Sequence, residues 1–386
     1  MTLRIEDLAG TGPHPPFGAD GADGPGVIPP APGNRGQGAV HGYMDAAGPH
    51  GDAAAGCETP VTPSERTPDA GSPSVVAVVV AYNRRELLLE ALAALKEQTA
   101  PLTAVVVVDN HSDDDSAETA REFWPEIELI RLARNTGGAG GFATGMAVAI
   151  ARHDPDWVWV MDDDTIPTST ALAELLTAVE RPDVVLAGSR VVWTDGSDHP
   201  MNTPRRNPFA RKEELEAAAA GGVTAVRSSS FVSMLVSAER VKTAGLPIAD
   251  YFIWNDDFEF STRMLRGGRG LFVPGSVVVH KTKARANTDA DPGARFYFEV
   301  RNKIWLMVFS RGLNPFEKAV YMGSTLLRWF RTVRRSRQRR FLLTQLRRGL
   351  VAGFSSRPRL NADVLCDLGA VTEAVVKVEA PARRAA

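Results

Sequence analysis

The sequence contains very little cysteine, since only Cys57 and Cys366 occur in 386 residues and they lie far apart. This scarcity argues against a disulfide framework or a thiolate metal site and fits a reducing compartment. Long apolar runs are also missing, and stretches such as Ile304 to Phe309 are far too short to cross a bilayer. The first residues lead directly into glycine, proline and aspartate, so we expect no secretory signal. We therefore expect a protein that is soluble or attached to a membrane surface.

A strong net charge is absent as well, because the formal charge at pH 7 is -2. Apolar residues make up 44% and charged residues 23% of the sequence, which is the balance of a globular protein with a buried core. Residues 1–73 depart from this balance, since glycine, proline, alanine and aspartate dominate them. Such a segment buries too little apolar surface to offset its ordering entropy. We therefore predict a disordered tail over residues 1–73.

From residue 74 onward, short β-branched runs alternate with stretches that have apolar residues at helical spacing. The runs are Val75 to Val80, Ala104 to Val108, Glu128 to Leu132 and Trp157 to Met161. Strands that alternate with helices predict an α/β fold with a doubly wound, mostly parallel sheet. Ligands of such sheets bind beyond the carboxyl ends of the strands. Asn83, Asp109 and Asp162 occupy positions of this kind and are therefore candidate site residues.

Three consecutive aspartates, Asp162, Asp163 and Asp164, follow the fourth of these strands. Adjacent carboxylates repel one another, and a hard divalent cation such as Mn²⁺ or Mg²⁺ would relieve the repulsion and bridge substrate phosphates. The same residues also fit a solvated acidic turn or a helix N-cap. The local sequence leaves both interpretations open.

Successive motifs along the chain resemble those of glycosyltransferase family 2, the inverting class of sugar-nucleotide enzymes with a Rossmann-like GT-A fold. The motifs are Val79-Val80-Ala81-Tyr82-Asn83-Arg84, then Val107-Val108-Asp109-Asn110-His111-Ser112-Asp113-Asp114, then the three aspartates. The resemblance covers residues 74–311, which we predict to form a GT-A domain. The segment from Arg134 to Phe142 is similar to bacterial galactofuranosyltransferases of cell-wall glycan synthesis and to rhamnosyltransferase-like relatives.

The resemblance implies where the donor would bind. It assigns Tyr82, Arg84 and Asp109 to the nucleotide-base pocket, and Asp163 to the neighbourhood of the ribose. A glycine-rich loop with Asn135, Gly140 and Gly141 would let the backbone approach the nucleotide or sugar closely. The alternative for this segment is a flexible loop that leads into a helix.

The resemblance also implies the metal ligands, which would be Asp162, Asp164 and His280 around Mn²⁺ or Mg²⁺. His280 ends a predicted strand over residues 270–280, and a neutral imidazole is an acceptable ligand for Mn²⁺. A lone histidine can equally have a structural role.

A second acidic motif, Trp254-Asn255-Asp256-Asp257-Phe258, would serve the acceptor. In similar enzymes such a pair holds the general base, which we assign to Asp257, with Asp256 facing acceptor hydroxyls and Trp254 stacking on the sugar. The alternative is that Asn255 and Asp256 cap the following helix. Arg301 would contact the pyrophosphate or form a structural ion pair with an acidic motif.

Residues 312–386 are predicted to form a basic, helical C-terminal region with a flexible end. Nine arginines lie between Arg328 and Arg348, without one acidic residue in that interval. With Trp329 and Phe330 among them, this pattern is typical of an amphipathic element at an anionic membrane surface. A solvated face is the alternative, and nucleic-acid binding is disfavoured because no corresponding motif is present.

Together these features predict an inverting, metal-dependent glycosyltransferase on the cytoplasmic face of the plasma membrane. The expected donor is UDP-galactofuranose and the expected acceptor a polyprenyl-linked cell-envelope oligosaccharide, with dTDP-rhamnose as the alternative donor. Two hypotheses from other classes are a nucleotidyltransferase and a non-catalytic glycan-binding scaffold. The first is disfavoured because the loop from Tyr82 to Arg85 lacks the glycines of a nucleotidyltransferase loop.

Overall fold

A ten-stranded mixed sheet forms the centre of the computed structural model, which describes residues 72–181, 183–199, 202, 204–282 and 291–384. The strands are β1 (Val75–Ala81), β2 (Ala104–Asp109), β3 (Glu128–Arg131), β4 (Trp157–Asp162), β5 (Thr165–Pro167), β6 (Val184–Val192), β7 (Arg205–Arg206), β8 (Thr224–Ser228), β9 (Met234–Ser237) and β10 (Arg269–His280). Their order is β3-β2-β1-β4-β9-β6-β10-β8-β7, and β5 pairs with β10. Strands β1 to β4 pair in parallel, and β9 introduces antiparallel pairing beside β4.

Twelve α-helices accompany the sheet in the described part of the chain. They are α1 (Arg85–Lys96), α2 (Ser116–Phe123), α3 (Gly137–His153), α4 (Ala171–Val179), α5 (Lys212–Ala220), α6 (Ala238–Ala244), α7 (Asp256–Met264), α8 (Phe296–Phe309), α9 (Pro315–Arg335), α10 (Arg339–Ser355), α11 (Asn361–Val364) and α12 (Ala370–Arg384). Helices on both faces of the sheet agree with the doubly wound arrangement predicted from the strand and helix pattern.

The alternation of side chains along β1 explains why both faces of the sheet are covered. All seven residues of this strand are buried. Val76, Val78 and Val80 belong to the core that includes α3, whereas Ala77 and Val79 belong to the opposite core that includes α1 and α4. Successive strand residues point to opposite faces, so a continuous apolar run can only be buried between two helical layers.

The glycine-rich segment differs from the sequence-based expectation, because it forms the first turns of α3 and is not a loop. Glycine is a poor helix former, which is why the segment resembles a loop in sequence. Packing overrides this preference. A Cβ atom on Gly141 would lie 2.5 Å from Val80 Cγ1, and one on Gly145 would lie 2.3 Å from Val78 Cγ1. The glycines therefore let α3 lie directly on β1.

The C-terminal residues also differ from the expectation, because the end predicted to be flexible forms α12. Val371, Val375 and Val378 on this helix are buried in the same core as α3 and α6. Apolar residues at helical spacing thus hold the segment in place. The domain boundary predicted at residue 311 stays a prediction. The predicted tail lies outside the described residues up to residue 71.

Candidate active site

The carboxyl ends of β1, β2 and β4 lie side by side and bring the first site residues together. In the parallel pairing, Ala81 is opposite Asp109 and Val80 is opposite Asp162. Tyr82 and Arg84 follow β1 directly, so they project from the strand between the two aspartates. Asp109 and Asp162 therefore lie at the same edge of the sheet, with β1 between them.

Strand β10 delivers His280 to the acidic motif from the far part of the chain. In the antiparallel pairing of β10 with β5, His280 is opposite Thr165, and Lys281 N donates a hydrogen bond to Asp164 O at 2.9 Å. As a result, one ligand atom from each of Asp162, Asp164 and His280 lies within 4.8 Å of the others. The three residues predicted as metal ligands are therefore clustered.

The acidic motif is held in an environment that disfavours its negative charge. Burial raises the pKa of Asp162 to about 6 and that of Asp163 to about 7, and the neighbouring aspartate charges add to both shifts. Burial acts in the same direction on Asp164, but the adjacent imidazole of His280, together with the charge of Arg84, brings its pKa below the ordinary value. The cluster therefore has an excess of acidic groups that a cation would stabilise.

One oxygen of the cluster tests whether a divalent cation fits. Asp164 Oδ1 is buried and accepts no well-aligned hydrogen bond from the described residues, although His280 Nε2 lies 3.1 Å from it. A buried carboxylate oxygen without a hydrogen-bond donor is costly. Carboxylate oxygens with one imidazole are a suitable ligand set for Mn²⁺, and the oxygens alone suit Mg²⁺. The residues present therefore fit the cation that the sequence predicts.

Arg84 and Tyr82 contact the acidic motif itself. Arg84 forms an ion pair with Asp163 at 3.1 Å and a shorter one with Asp164, while Tyr82 N donates to Asp163 Oδ2 at 2.9 Å. The phenol of Tyr82 is exposed, as expected of a residue that could stack on a base. Their predicted role at the nucleotide base stays a prediction, and Arg84 also balances part of the acidic charge.

Two further residues of the predicted donor site have mainly local partners. Asp109 is 1% exposed, its Oδ1 accepts from Ser112 N at 3.1 Å, and its Oδ2 lies 3.6 Å from Arg131 Nε. Asn135 Oδ1 accepts from Gly137 N at 2.7 Å and so fixes the entry to α3. Nucleotide contacts of both residues stay predictions.

Gly140 and Gly141 are buried within α3, where their first neighbours belong to the protein. A Cβ atom on Gly140 would lie 2.5 Å from the Thr136 side chain, and the corresponding atom on Gly141 would meet Val80. Gly137 approaches the backbone, since its Cβ would lie 2.1 Å from Phe252 O. The backbone of this glycine-rich segment therefore lies close to the loop before α7, which is part of the protein itself. A nucleotide contact at Gly140 and Gly141 stays a prediction.

The loop that carries the second acidic motif has an unusual backbone. Phe252, Trp254 and Asn255 have φ angles of 65°, 69° and 64°, in the left-handed region that such residues rarely adopt. Helix α7 then begins at Asp256, so Asp256 and Asp257 occupy its first turn. Positive φ angles at Phe252 and Trp254 cost free energy and persist only where the surroundings enforce them.

Side chains from α8 enforce this loop conformation, and these are residues that the sequence reasoning missed. Asn302 is fully buried, and its Nδ2 lies 2.9 Å from the carbonyl oxygens of Tyr251, Ile253 and Trp254. Glu299 Oε2 accepts a hydrogen bond from Asn255 Nδ2 at 2.7 Å. In the segment from Tyr297 to Asn302, only Arg301 was predicted from the sequence to be a site residue.

Arg301 binds backbone carbonyls of the same loop. Its NH2 donates to Asp250 O at 2.7 Å and to Tyr251 O at 3.1 Å, and its guanidinium lies 4.2 Å from the Trp305 ring centroid. These contacts give Arg301 a structural role, although its partners are carbonyls and not the carboxylates that were expected. The pyrophosphate contact stays a prediction.

Both carboxyl groups of the acidic pair of α7 have raised pKa values. Burial raises the pKa of Asp257, and this shift is partly offset by the hydrogen bond from Phe258 N and by the charges of Arg205 and Lys303. Burial and the charge of Asp257 hold the pKa of Asp256 well above its ordinary value, and Asp162 contributes in the same direction. A carboxylate with a raised pKa is a stronger base. The charges of Asp162 and of the acidic pair act on each other, so the two acidic motifs lie near one another.

Comparison with known proteins agrees with this geometry. Residues 76–240 match Glycosyl transferase family 2, a span that contains Tyr82, Arg84, Asp109 and the three consecutive aspartates. Galactofuranosyltransferase GlfT1 of Mycolicibacterium smegmatis is 32% identical over 200 residues, which are 50% of this chain and 66% of that protein. The protein of the same name from Mycobacterium tuberculosis is 33% identical over 200 residues, again 66% of its length. The matched part is just short of two thirds of these relatives.

A solved structure supports the fold independently. The structure of S. aureus TarS 1-349 is similar with a TM-score of 0.51 and 16% sequence identity, and the match covers 81% of this chain and 92% of that one. At this level of identity the likeness concerns the fold alone. It confirms the α/β architecture, with a mixed sheet and helices, that was predicted from the sequence.

Proposed function

Residues 76–240 form a glycosyltransferase family 2 domain, and on this basis we propose that the chain transfers a sugar from a nucleotide-sugar donor to a glycan acceptor with inversion at the anomeric carbon. The family match confirms the resemblance predicted from the motifs. One observation carries the proposal for the whole chain. Asp162, Asp164 and His280 cluster at the sheet edge, and the charges of Asp256 and Asp257 act on the same cluster.

The protein groups have distinct tasks in this reaction. Asp162, Asp164 and His280 would hold Mn²⁺ or Mg²⁺, which when bound neutralises the diphosphate of the donor and of the departing nucleoside diphosphate. Asp257 takes the proton from the acceptor hydroxyl, and the hydroxyl oxygen forms a bond to the anomeric carbon. The bond between that carbon and the diphosphate oxygen breaks in the same step, and the nucleoside diphosphate leaves with the electron pair.

Positioning of Asp257 is the task of the surrounding helices. Asn302 holds the loop before α7, and the first turn of α3 meets the same loop at Phe252 O. A base that is held in the correct orientation close to the acceptor hydroxyl speeds the reaction, because less orientational freedom must be lost to reach the transition state. Trp254, at the end of this loop, is half-buried and would form the wall on which the acceptor sugar stacks.

For the sugar, we propose galactofuranose from UDP-galactofuranose, with a polyprenyl-linked cell-envelope oligosaccharide as acceptor. Support comes from the names of the relatives, which are galactofuranosyltransferases at 32% and 33% identity. The alternative donor is dTDP-rhamnose, because rhamnosyltransferase-like enzymes resemble the same segment from Arg134 to Phe142.

A transfer assay with a panel of donors tests the proposal. UDP-galactofuranose, UDP-galactopyranose, UDP-glucose and dTDP-rhamnose would each be offered with a synthetic lipid-linked oligosaccharide in Mn²⁺, in Mg²⁺ and in EDTA. We expect turnover of one donor that requires the cation and is lost in Asp257→Ala. Absence of both turnover and nucleotide binding, measured by calorimetry, would contradict the proposal and favour a glycan-binding scaffold.

We further propose that α9 and α10 attach the protein to an anionic membrane surface on the cytoplasmic side. No helix among the described residues is long and apolar enough to cross a bilayer. Large apolar side chains are nevertheless exposed on these two helices, namely Leu326, Leu327, Phe330, Leu343, Val351 and Phe354. Arginines such as Arg331, Arg340 and Arg347 are exposed among them. Exposed apolar residues surrounded by positive charge match the boundary between acyl chains and anionic headgroups.

Vesicle co-sedimentation tests this attachment. The protein should bind vesicles that contain phosphatidylserine and should not bind pure phosphatidylcholine. Phe330→Ser should weaken binding because the Phe330 side chain is 66% exposed, whereas Val376→Ser, at a 44% exposed residue on α12, serves as the control. Equal binding of both variants would contradict a membrane role for α9.

A further inference from the structure

Two positive side chains flank the aromatic ring next to the proposed base. Phe258 follows Asp257 in α7, and the guanidinium carbon of Arg205 lies 5.3 Å from the Phe258 ring centroid. The Nζ atom of Lys303 lies 4.9 Å from the same centroid. Arg205 comes from β7 and Lys303 from α8, so two distant parts of the chain place positive charge beside Asp257.

Neither of these cations makes a direct contact with a carboxylate in the described part of the chain, although the charges of Asp257 and Glu299 act on both. Among the described residues, no carboxylate forms an ion pair with Arg205 or Lys303, and neither side chain donates a hydrogen bond. Lys303 is only 7% exposed. The nearby carboxylate of Glu299 is already engaged, since it pairs with Arg328 and accepts a hydrogen bond from Asn255. Burying a charged ammonium group costs several kcal/mol in proteins, and a direct contact with an anion would offset part of this cost.

The pKa of Lys303 shows that the protein stabilises its charged form only in part. Burial lowers this pKa to about 7, the like charges of Arg328 and Arg205 act in the same direction, and the carboxylates of Glu299 and Asp257 oppose the shift. Arg205 is exposed to solvent, whereas Lys303 is buried. Arg205 is therefore the more accessible member of the pair.

We propose that Arg205 and Lys303 form an anion-binding subsite beside Asp257 that takes a phosphate group of a substrate. The proposal rests on the proposed function, since both substrates of that reaction carry diphosphate. A guanidinium binds phosphate oxygens through its planar fork, and an ammonium adds a compact charge. The subsite is made of residues different from Asp162, Asp164 and His280. The phosphate can come from the lipid-linked acceptor or from the donor.

Calorimetry with inorganic pyrophosphate in EDTA tests the subsite without any contribution from a bound cation. The wild-type protein should bind pyrophosphate, and Lys303→Met and Arg205→Gln should each weaken the binding by at least about tenfold, because each removes a charge-assisted contact. Arg206→Gln is the matched control, since Arg206 is exposed on the same strand and, among the described residues, only Arg205 of this strand contacts the Phe258 ring. No binding by the wild-type protein, or equal binding by Lys303→Met, would overturn the proposal.

Folding of the variants is controlled in the same experiment. Lys303→Met replaces an unpaired buried charge by an apolar side chain of similar length, so its urea midpoint should not fall below that of the wild-type protein. A lower midpoint would mean that the ammonium has a partner within the fold, which would also overturn the proposal.

Competition then identifies the source of the phosphate. If UDP in Mn²⁺ displaces pyrophosphate from the subsite, the donor diphosphate binds there. If pyrophosphate binds equally with UDP present, the subsite serves the acceptor, and Lys303→Met should raise the KM of the lipid-linked acceptor but not that of the donor. Both results support the subsite. The proposed function fails separately, by an absence of sugar transfer, whatever the result with pyrophosphate.

Discussion

Replacing Gly137 by alanine should damage both the fold and the reaction. Gly137 has a φ angle of 72°, and a Cβ atom there would lie 2.1 Å from Phe252 O. Left-handed backbone costs alanine about 1–2 kcal/mol, and forcing a methyl group into packed space costs about 1–3 kcal/mol. We therefore expect the free energy of unfolding to fall by about 2–5 kcal/mol. The obstructing atom is a backbone carbonyl, so a side-chain rotation cannot relieve the overlap.

The same substitution should slow sugar transfer, because Phe252 begins the loop that leads to Asp257. Relief of the overlap moves this carbonyl, and a displacement of about 1 Å near a catalytic group can lower the rate by about 100-fold. The hydrogen bond from Ala139 N to Phe252 O, at 3.2 Å, would be disturbed as well. We expect a lower kcat, with the KM of the donor changing less.

Gly138→Ala provides the matched control, since nothing lies within 4 Å of a Cβ atom at this next position of α3. Alanine is the better helix former, so this variant should be unchanged or more stable by up to about 1 kcal/mol. Urea unfolding and transfer kinetics of the two variants would be compared. If Gly137→Ala matches Gly138→Ala in both measurements, then contact between α3 and the loop does not hold the base in place.

Three further predictions concern ionisable groups. Asp164→Asn should weaken Mn²⁺ binding by at least about tenfold in calorimetry, because it replaces a charged ligand. Asp113 is exposed, so Asp113→Asn should leave Mn²⁺ binding unchanged. Equal loss of binding in both variants would contradict the assigned metal site. Asp257→Asn should lower kcat by about 100-fold or more without loss of UDP binding. Burial raises the pKa of Asp257, so the wild-type rate should fall with decreasing pH at values above 3.8, and a fall only below that value would argue against Asp257 as the base. Burial opposes ionisation of Glu128, but its hydrogen bond with His153, at 2.7 Å, contributes to a lowered pKa. The ionised form therefore stabilises the fold above the ordinary glutamate pKa, and this stabilisation is lost as the pH falls through the lowered pKa. In urea unfolding, the free energy of unfolding of Glu128→Gln should accordingly be lower than that of the wild-type protein at neutral pH, and the difference should disappear in acid.

Local sequence determined the sheet and the positions of the first site residues. β-Branched runs such as Val75–Ala81 can be buried only as strands covered on both faces, and helical spacing between them implies parallel crossovers. Carboxyl ends of parallel strands share one edge, so the strand pattern alone predicts that Asp109 and Asp162 lie at the same edge of the sheet. The register of β1 with β2 and β4 agrees with that prediction.

Local sequence contains less information where packing opposes propensity. Glycine disfavours helices, and the run after Asn135 therefore resembles a loop. Close contact of α3 with Val80 and Phe252 decides otherwise. Residues 200–222 have no clear pattern, yet they include β7 and α5 because neighbouring strands and helices supply partners.

Only the tertiary structure decided which residues that are far apart in the sequence contact one another. Asn302 meets the loop around Trp254, 48 residues away, and Lys303 and Arg205 converge on Phe258 from two separate elements. Periodicity and capping report on a few residues at a time, and they contain no information about which distant side chains share a site. The sequence by itself therefore determined the α/β core and the acidic motifs. The arrangement that holds Asp257, and the unpaired charges beside it, depends on how α7, α8 and β7 pack together.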